Sequence, residues 1–208
     1  MKLTGIRHIY AILLFLVAAI QSVSAATPTA ADILAKTSGE MRKAQSLKAS
    51  FTVDGNGQRS SGEITIDGNR FYLTTPEMAT WFDGKTQWSY SPAAEEVSVS
   101  EPTASELEQI NPFAIIDGLQ KQFKGRRLTA PKGLDRLELT PKNNSDYSKV
   151  VLTINSATGL PVEITFTTTD RTVTAIKILS LIKIKTPPAS TFRFDPKKYP
   201  LAEIIDLR

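Results

Sequence analysis

The sequence contains no cysteine, and its one histidine is His8. Disulfides therefore cannot staple the fold, which must rely on its core. His8 lies in a segment expected to be removed, so the mature chain is expected to have neither His nor Cys. Ser-His-Asp and Cys-His nucleophile systems are then excluded. A zinc site would need carboxylates alone, an unusual donor set. A Ser-Lys pair or a carboxylate pair stays formally open, but Asp and Glu are spread along the chain and no motif gathers them. No catalytic residue, cofactor site or metal site is expected.

A second long apolar run is also missing. The one present, Ile9 to Ile20, follows the basic residues Lys2 and Arg7 and precedes Val23-Ser24-Ala25. Basic region, short apolar stretch and small residues form the pattern of a secretory signal peptide, so residues 1–25 are expected to be cleaved after Ala25. The run is too short for a comfortable membrane span. No cysteine follows it that could carry a lipid. Residues 26–208 then form one expected domain, long enough to bury a core. Of the 25 basic residues, two sit in the leader, which leaves 23 against 21 acidic. The single basic cluster, Lys124, Arg126 and Arg127, reads as a solvated face, with a docking patch as the sharper alternative. There is no basic stripe, so no nucleic-acid partner is expected.

The apolar pattern is that of an antiparallel sheet interrupted by helices. Thr29 caps a helix whose stripe is Ile33, Leu34, Thr37, Met41 and Ala44, ending near Gln45. Leu47, Ala49, Phe51 and Val53 then share one strand face. Further strands are predicted at 62–66, around Phe71 and Leu73, and at 78–82, 86–90 and 95–100, with Asp-Gly turns at 67–68 and 83–84. Residues 105–110 have helical character. Asn111-Pro112 starts a second helix, with the stripe Phe113, Ile116, Leu119, Gln120 and Phe123. Gly118 weakens this helix, and Gly125 is expected to end it. Strands follow at Leu128, 134–140, 149–155, 162–168 and 172–185. Both faces of the last become apolar over 175–184, so something is expected to cover both. Phe192 and Phe194 are placed on one face of a final strand. Trp81, Trp88 and Tyr90 flank the 83–84 turn, where cross-strand packing and ligand contact weigh equally. So many strands must curl or split. The expected class is α+β, mainly antiparallel β: a strongly curved sheet whose concave face is closed by the two helices.

The ordered set 47-LKASFT-52, the Gly62 strand with Phe71 in the next, 83-DGKTQWSYSP-92, 111-NPF-113, 138-ELTPK-142 and 192-FRFDP-196 resembles the periplasmic lipoprotein carrier family LolA over nearly the whole mature chain. The resemblance implies a half-barrel with a helical lid over an apolar cavity for lipoprotein acyl chains. It further implies loading by an inner-membrane lipoprotein-releasing ABC transporter, delivery towards the outer membrane with a receptor there as a further partner, a periplasmic location, a monomer, and no covalent chemistry. By position, Met41, Leu47, Phe71, Leu73 and Phe113 match the family's cavity residues. Ile33, Phe51, Ile64, Trp88, Ile116 and Leu119 complete the candidate set. Family members carry an Arg-Pro pair after the strand matching 62–66, whose arginine couples release to lid closure. Here that stretch is 67-DGN-69, and the role does not transfer to Arg70. Two other readings stay open: a lipid-sensing or scaffold module on the same fold in envelope stress regulation, and an enzyme built on Ser-Lys or paired carboxylates.

Overall fold

A computed structural model describes residues 27–103, 106–107 and 112–208, with the backbone alone for residues 112–114 and 117. The export signal expected at 1–25, most of the helical segment expected at 105–110, and Asn111 lie outside the described residues.

Helix α1 (Ala30–Lys43) starts in a reciprocal cap. Asp32 N–H donates to Thr29 Oγ1 at 3.1 Å, and Thr29 N–H donates to Asp32 Oδ2 at 2.9 Å. Two otherwise unpaired helix amides are satisfied this way. Strands β1 (Ser46–Gly55), β2 (Gln58–Asp67), β3 (Arg70–Thr74), β4 (Ala79–Phe82), β5 (Gln87–Ser91) and β6 (Glu96–Ser100) form a meander. Helix α2 (Pro112–Gln122) follows. A second meander comprises β7 (Phe123–Leu128), β8 (Leu134–Pro141), β9 (Tyr147–Asn155), β10 (Pro161–Thr168) and β11 (Val173–Lys183), and β12 (Glu203–Asp206) closes the chain.

The twelve strands of the described residues lie in one sheet, ordered β12-β6-β5-β4-β3-β2-β1-β11-β10-β9-β8-β7. The two meanders join where β1 pairs antiparallel with β11. Among the described strands only β12 is parallel to its neighbour, β6. The ends, β12 and β7, do not pair, so the curved sheet stays an open trough. This is the strongly curved α+β sheet expected from the pattern, and it is an unclosed half-barrel as the family resemblance implies.

Three details differ from the sequence reading. First, α2 stops at Gln122, and Phe123 already pairs with Pro141 in the ladder. Gly125 does not end a helix. It lies in β7 where α1 crosses, and a Cβ there would stand 2.8 Å from Ala30 Cβ and 3.1 Å from Leu139 Cδ2. Second, the apolar run in β11 is not covered on both faces. The register slips at Ser50/Phe51, so that Phe51 opposes Ile178, Ser50 opposes Ser180, and Leu179 is left over as a bulge. One inserted residue shifts the alternation, which sends Ile176, Ile178 and Leu181 all inward while Leu179 and Ile182 remain 59% and 52% exposed. Third, Phe192 and Phe194 are buried but not on a strand. Short 3-10 turns at Ala189–Phe192 and Pro196–Lys198 carry this tail, where Pro187, Pro188 and Pro196 lack the N–H groups a ladder needs.

Candidate functional site

Helices α1 and α2 fill one half of the trough. Ile33, Leu34 and Met41 of α1 and Ile116 and Leu119 of α2 pack with Leu137, Leu139, Val150, Leu152, Ile154 and Ile164 from β8, β9 and β10. Most of these residues are at most 4% exposed, and this half is a filled core. On the other half of the concave face, on β1 to β5 and β11, Leu107 packs against the cluster of Ala49, Ile64, Ile66, Phe71 and Phe82. A cavity of about 390 Å³ remains there.

Its walls follow from strand alternation. Leu47, Ala49 and Phe51 of β1 face Ile64 and Ile66 of β2, with Leu73 of β3 beyond. Ile176, Ile178 and Leu181 of β11 form the opposite wall, with Pro161 and Ile164 of β10. Met41, Ile115 and Ile116 close it from the helices, and Met78, 38% exposed, lies at its border. Three polar residues interrupt this lining: Thr80, Gln87 and Ser89. Among the described residues no charged side chain lines it. Such a cavity suits a neutral apolar group and penalises a charged one, which would lose its hydration without a partner. Among the described residues no group of acidic side chains could hold a metal ion, and no helix is long and apolar enough to cross a membrane.

Of the residues singled out from sequence, Met41, Leu47, Phe51, Ile64, Leu73 and Ile116 line the cavity. Phe71, with no exposed surface, packs beneath it against Phe82, the ring centroids 5.5 Å apart. Ile33 and Leu119 belong to the filled half. Phe113 falls in α2, and its side chain lies outside the described residues. Trp88 is a correction. Trp81 pairs directly with Trp88, and Thr80 with Ser89. Because Thr80, Gln87 and Ser89 face the cavity, Trp81, Trp88 and Tyr90 point to the convex face. There they pack with Val97, Val99, Phe194 and Tyr199, and Tyr72 stacks on Trp81 at 5.2 Å. Strand β4 is buried on both faces, so hydrophobicity alone does not reveal which way its partner's tryptophan turns. Burial, with the Tyr72 and Tyr90 phenols nearby, pushes the Tyr199 hydroxyl's pKa up. A hollow of about 630 Å³ also lies on this convex face, between Trp81 and the tail, but Arg193, Asp195 and Lys198 make its rim polar.

Sequence reading missed Ile176, Ile178 and Leu181. Their signal was the 175–184 run itself, masked by the bulge at Leu179. The turn at Asp67-Gly68-Asn69 is tied to the strand bases. Ser46 Oγ donates to Asp67 Oδ1 at 2.6 Å, Arg70 bonds the other carboxylate oxygen, and the Arg70 guanidinium lies 4.9 Å from the Phe192 ring centroid.

An open half-barrel with an apolar cavity under helices defines a class of fold that can hold an apolar ligand. The family described as "Outer membrane lipoprotein carrier protein LolA" matches residues 21–169. The chain belongs to this family of non-enzymatic carriers, as a divergent member. It is 30% identical over 169 residues to the outer-membrane lipoprotein carrier protein of Proteus mirabilis, a match covering 75% of this chain and 80% of that protein. Among solved structures, an uncharacterized conserved protein from Thermus thermophilus shares the fold, with a TM-score of 0.58 and 13% identity, over 84% of this chain and 97% of that one. A LolA superfamily protein from Nitrosomonas europaea gives a TM-score of 0.45 at 15% identity, over 81% of this chain and 99% of that one.

Proposed function

We propose that the chain is a periplasmic carrier that shields lipoprotein acyl chains in this cavity between the inner and outer membranes. In this reading residues 1–25 are the export signal and residues 26–208 the mature, monomeric carrier domain. The inner-membrane lipoprotein-releasing ABC transporter loads it, and an outer-membrane receptor takes the cargo. The observation that carries the reading is the uncharged apolar cavity between the helices and β1, β2 and β11 in a member of a lipoprotein carrier family. Each CH₂ moved from water into such a space gains about 0.8 kcal/mol, so acyl chains are what the lining can hold against water. At about 390 Å³ the cavity is near the small end of ligand pockets. It suits one chain as it stands, and a larger anchor requires α2 to move.

The test is equilibrium binding of a fluorescent fatty acid and of an acylated peptide to the purified mature protein. One-to-one complexes are expected. An Ile64→Asp change should weaken both at least tenfold, because a buried carboxylate would face the chain. A folded wild-type protein that leaves both ligands free would overturn the reading.

A further inference from the structure

The basic cluster at Lys124, Arg126 and Arg127 lies on an open edge of the sheet. Strand β7 pairs with β8 on one side, and among the described residues nothing pairs with its other side. Alternate residues of such an edge strand direct their N–H and C=O groups away from the sheet, a template for one more strand. The register sorts the cations. Gly125 and Arg127 oppose Leu139 and Leu137, which are buried in the filled core, so these two positions face the trough. Arg127 accordingly turns in, to Asp135 Oδ1 at 2.8 Å and to the Pro28 carbonyl. Lys124 and Arg126 oppose Thr140 and Glu138, and they stand together on the convex face. Lys124 has no partner among the described residues. Arg126 bonds one carboxylate oxygen of Glu138, but its side chain is 69% exposed, and so exposed a pair contributes little. The other acid of β8, Asp135, is held by Arg127. This edge therefore presents an unmet positive charge beside unpaired backbone.

A second copy of β7 would set cations against cations, which is unfavourable across a strand pair. The acidic strand at the other end of the sheet, β12, carries Glu203 and Asp206 on opposite faces, and Asp206 already bonds Arg208 at 2.6 Å. Neither answers both cations. An extended segment with acids at alternate positions does, because both acids fall on one face and stand directly across from Lys124 and Arg126. The residue between them falls on the other face, across from Gly125. A Cβ on Gly125 would stand 2.8 Å from Ala30 Cβ, so α1 leaves little room on that side and the residue must be small. We infer that β7 docks an extended acid–small–acid segment of a partner protein as an added strand of the sheet. The inference goes beyond the carrier reading, for the segment binds outside the cavity.

The experiment titrates the purified mature protein at low salt with a dye-labelled Thr-Val-Glu-Ala-Glu-Val-Thr peptide and with its Thr-Val-Gln-Ala-Gln-Val-Thr control. The acidic peptide should bind about tenfold more tightly, the scale of two exposed ion pairs, and added salt should shrink that advantage. Tryptophan in place of the central alanine should lose binding. Amide exchange over residues 123–128 should slow in the complex, because backbone bonds form there. Lys124→Glu should remove the preference for the acidic peptide. Lys124→Glu with Arg126→Glu should transfer it to Thr-Val-Lys-Ala-Lys-Val-Thr, which a merely structural loss would not do. Each variant is checked for a native near-UV spectrum. Fatty-acid binding in the same variants should match wild type, which keeps a failure of this inference separate from a failure of the carrier reading. Equal affinity for the acidic and control peptides, no binding of either, or binding without protection of β7 would overturn the inference. Phosphatidylglycerol vesicles that bind through Lys124 and Arg126 while the acidic peptide stays free would also overturn it, and would mark the edge as a lipid-facing surface.

Discussion

Asp67 and Asp83 show how single carboxylates tie distant segments to the trough. The Ser46 hydroxyl bond and the Arg70 guanidinium hold the Asp67 carboxyl below its ordinary pKa, against a smaller opposing effect of burial. At Asp83 burial raises the pKa, but the backbone N–H groups of Thr86 and Lys85 and the Arg193 side chain outweigh it, so the net direction is also down. A depressed folded pKa means that the folded chain binds fewer protons than the unfolded one as the pH drops. The stabilisation is therefore complete above the ordinary carboxylate value and fades as the pH falls through the lowered one. Asp67→Asn should cost about 1–2 kcal/mol near pH 7, the scale of a charge-assisted bond replaced by a neutral one. The gap from wild type should narrow as the pH falls through and below the ordinary carboxylate value of about 4. Urea midpoints across that range measure it, and a gap that stays constant would show that charge on Asp67 contributes nothing.

Strand β11 shows what local pattern tells and what it hides. Period-two alternation placed Leu47, Ala49 and Phe51 on one face of β1, and the backbone ladder keeps them there. The same alternation fails across β11, because a single leftover residue moves Ile178 and Leu181 into phase and a run that looks apolar on both faces is apolar on one. Nothing local marks Leu179 as that residue, since the slip is set by pairing with a strand more than a hundred residues earlier. The face of Trp88 was hidden for a related reason: β4 is buried on both sides, so its register, not its composition, decides what β5 turns inward. The cavity itself was the least legible feature. The stripes of α1 and α2 read the same whether they fill the trough or stop short, and where they stop is a matter of tertiary packing. Leu179→Ser should change stability by no more than about 0.5 kcal/mol, as surface substitutions do. Ile178→Ser should weaken fatty-acid binding, because it puts a hydroxyl into the lining. Chemical denaturation and ligand displacement on the two variants distinguish them. A loss above about 1 kcal/mol at Leu179 would mean that the convex face is covered.

At the scale of the whole molecule, α2 packs into the filled half-core and also borders the cavity beside it. Helix α2 contributes Ile116 to both halves and carries Gly118 in its middle, a residue that costs about 1 kcal/mol of helix stability relative to alanine. It passes directly into β7 at Phe123, so its C-terminal end is anchored in the ladder while its body lies over the cavity. Filling the cavity with one chain should stabilise α2 where it is. Adding a second chain to a space of about 390 Å³ should displace it. Affinity for single-chain acids should therefore rise about fourfold per added CH₂ and then flatten once the space is full. Amide hydrogen exchange over residues 112–122 should slow with a saturating single-chain ligand and quicken with a two-chain one. If the two-chain ligand binds equally well and leaves exchange in α2 unchanged, the helix is not the moving part, and the trough must widen elsewhere.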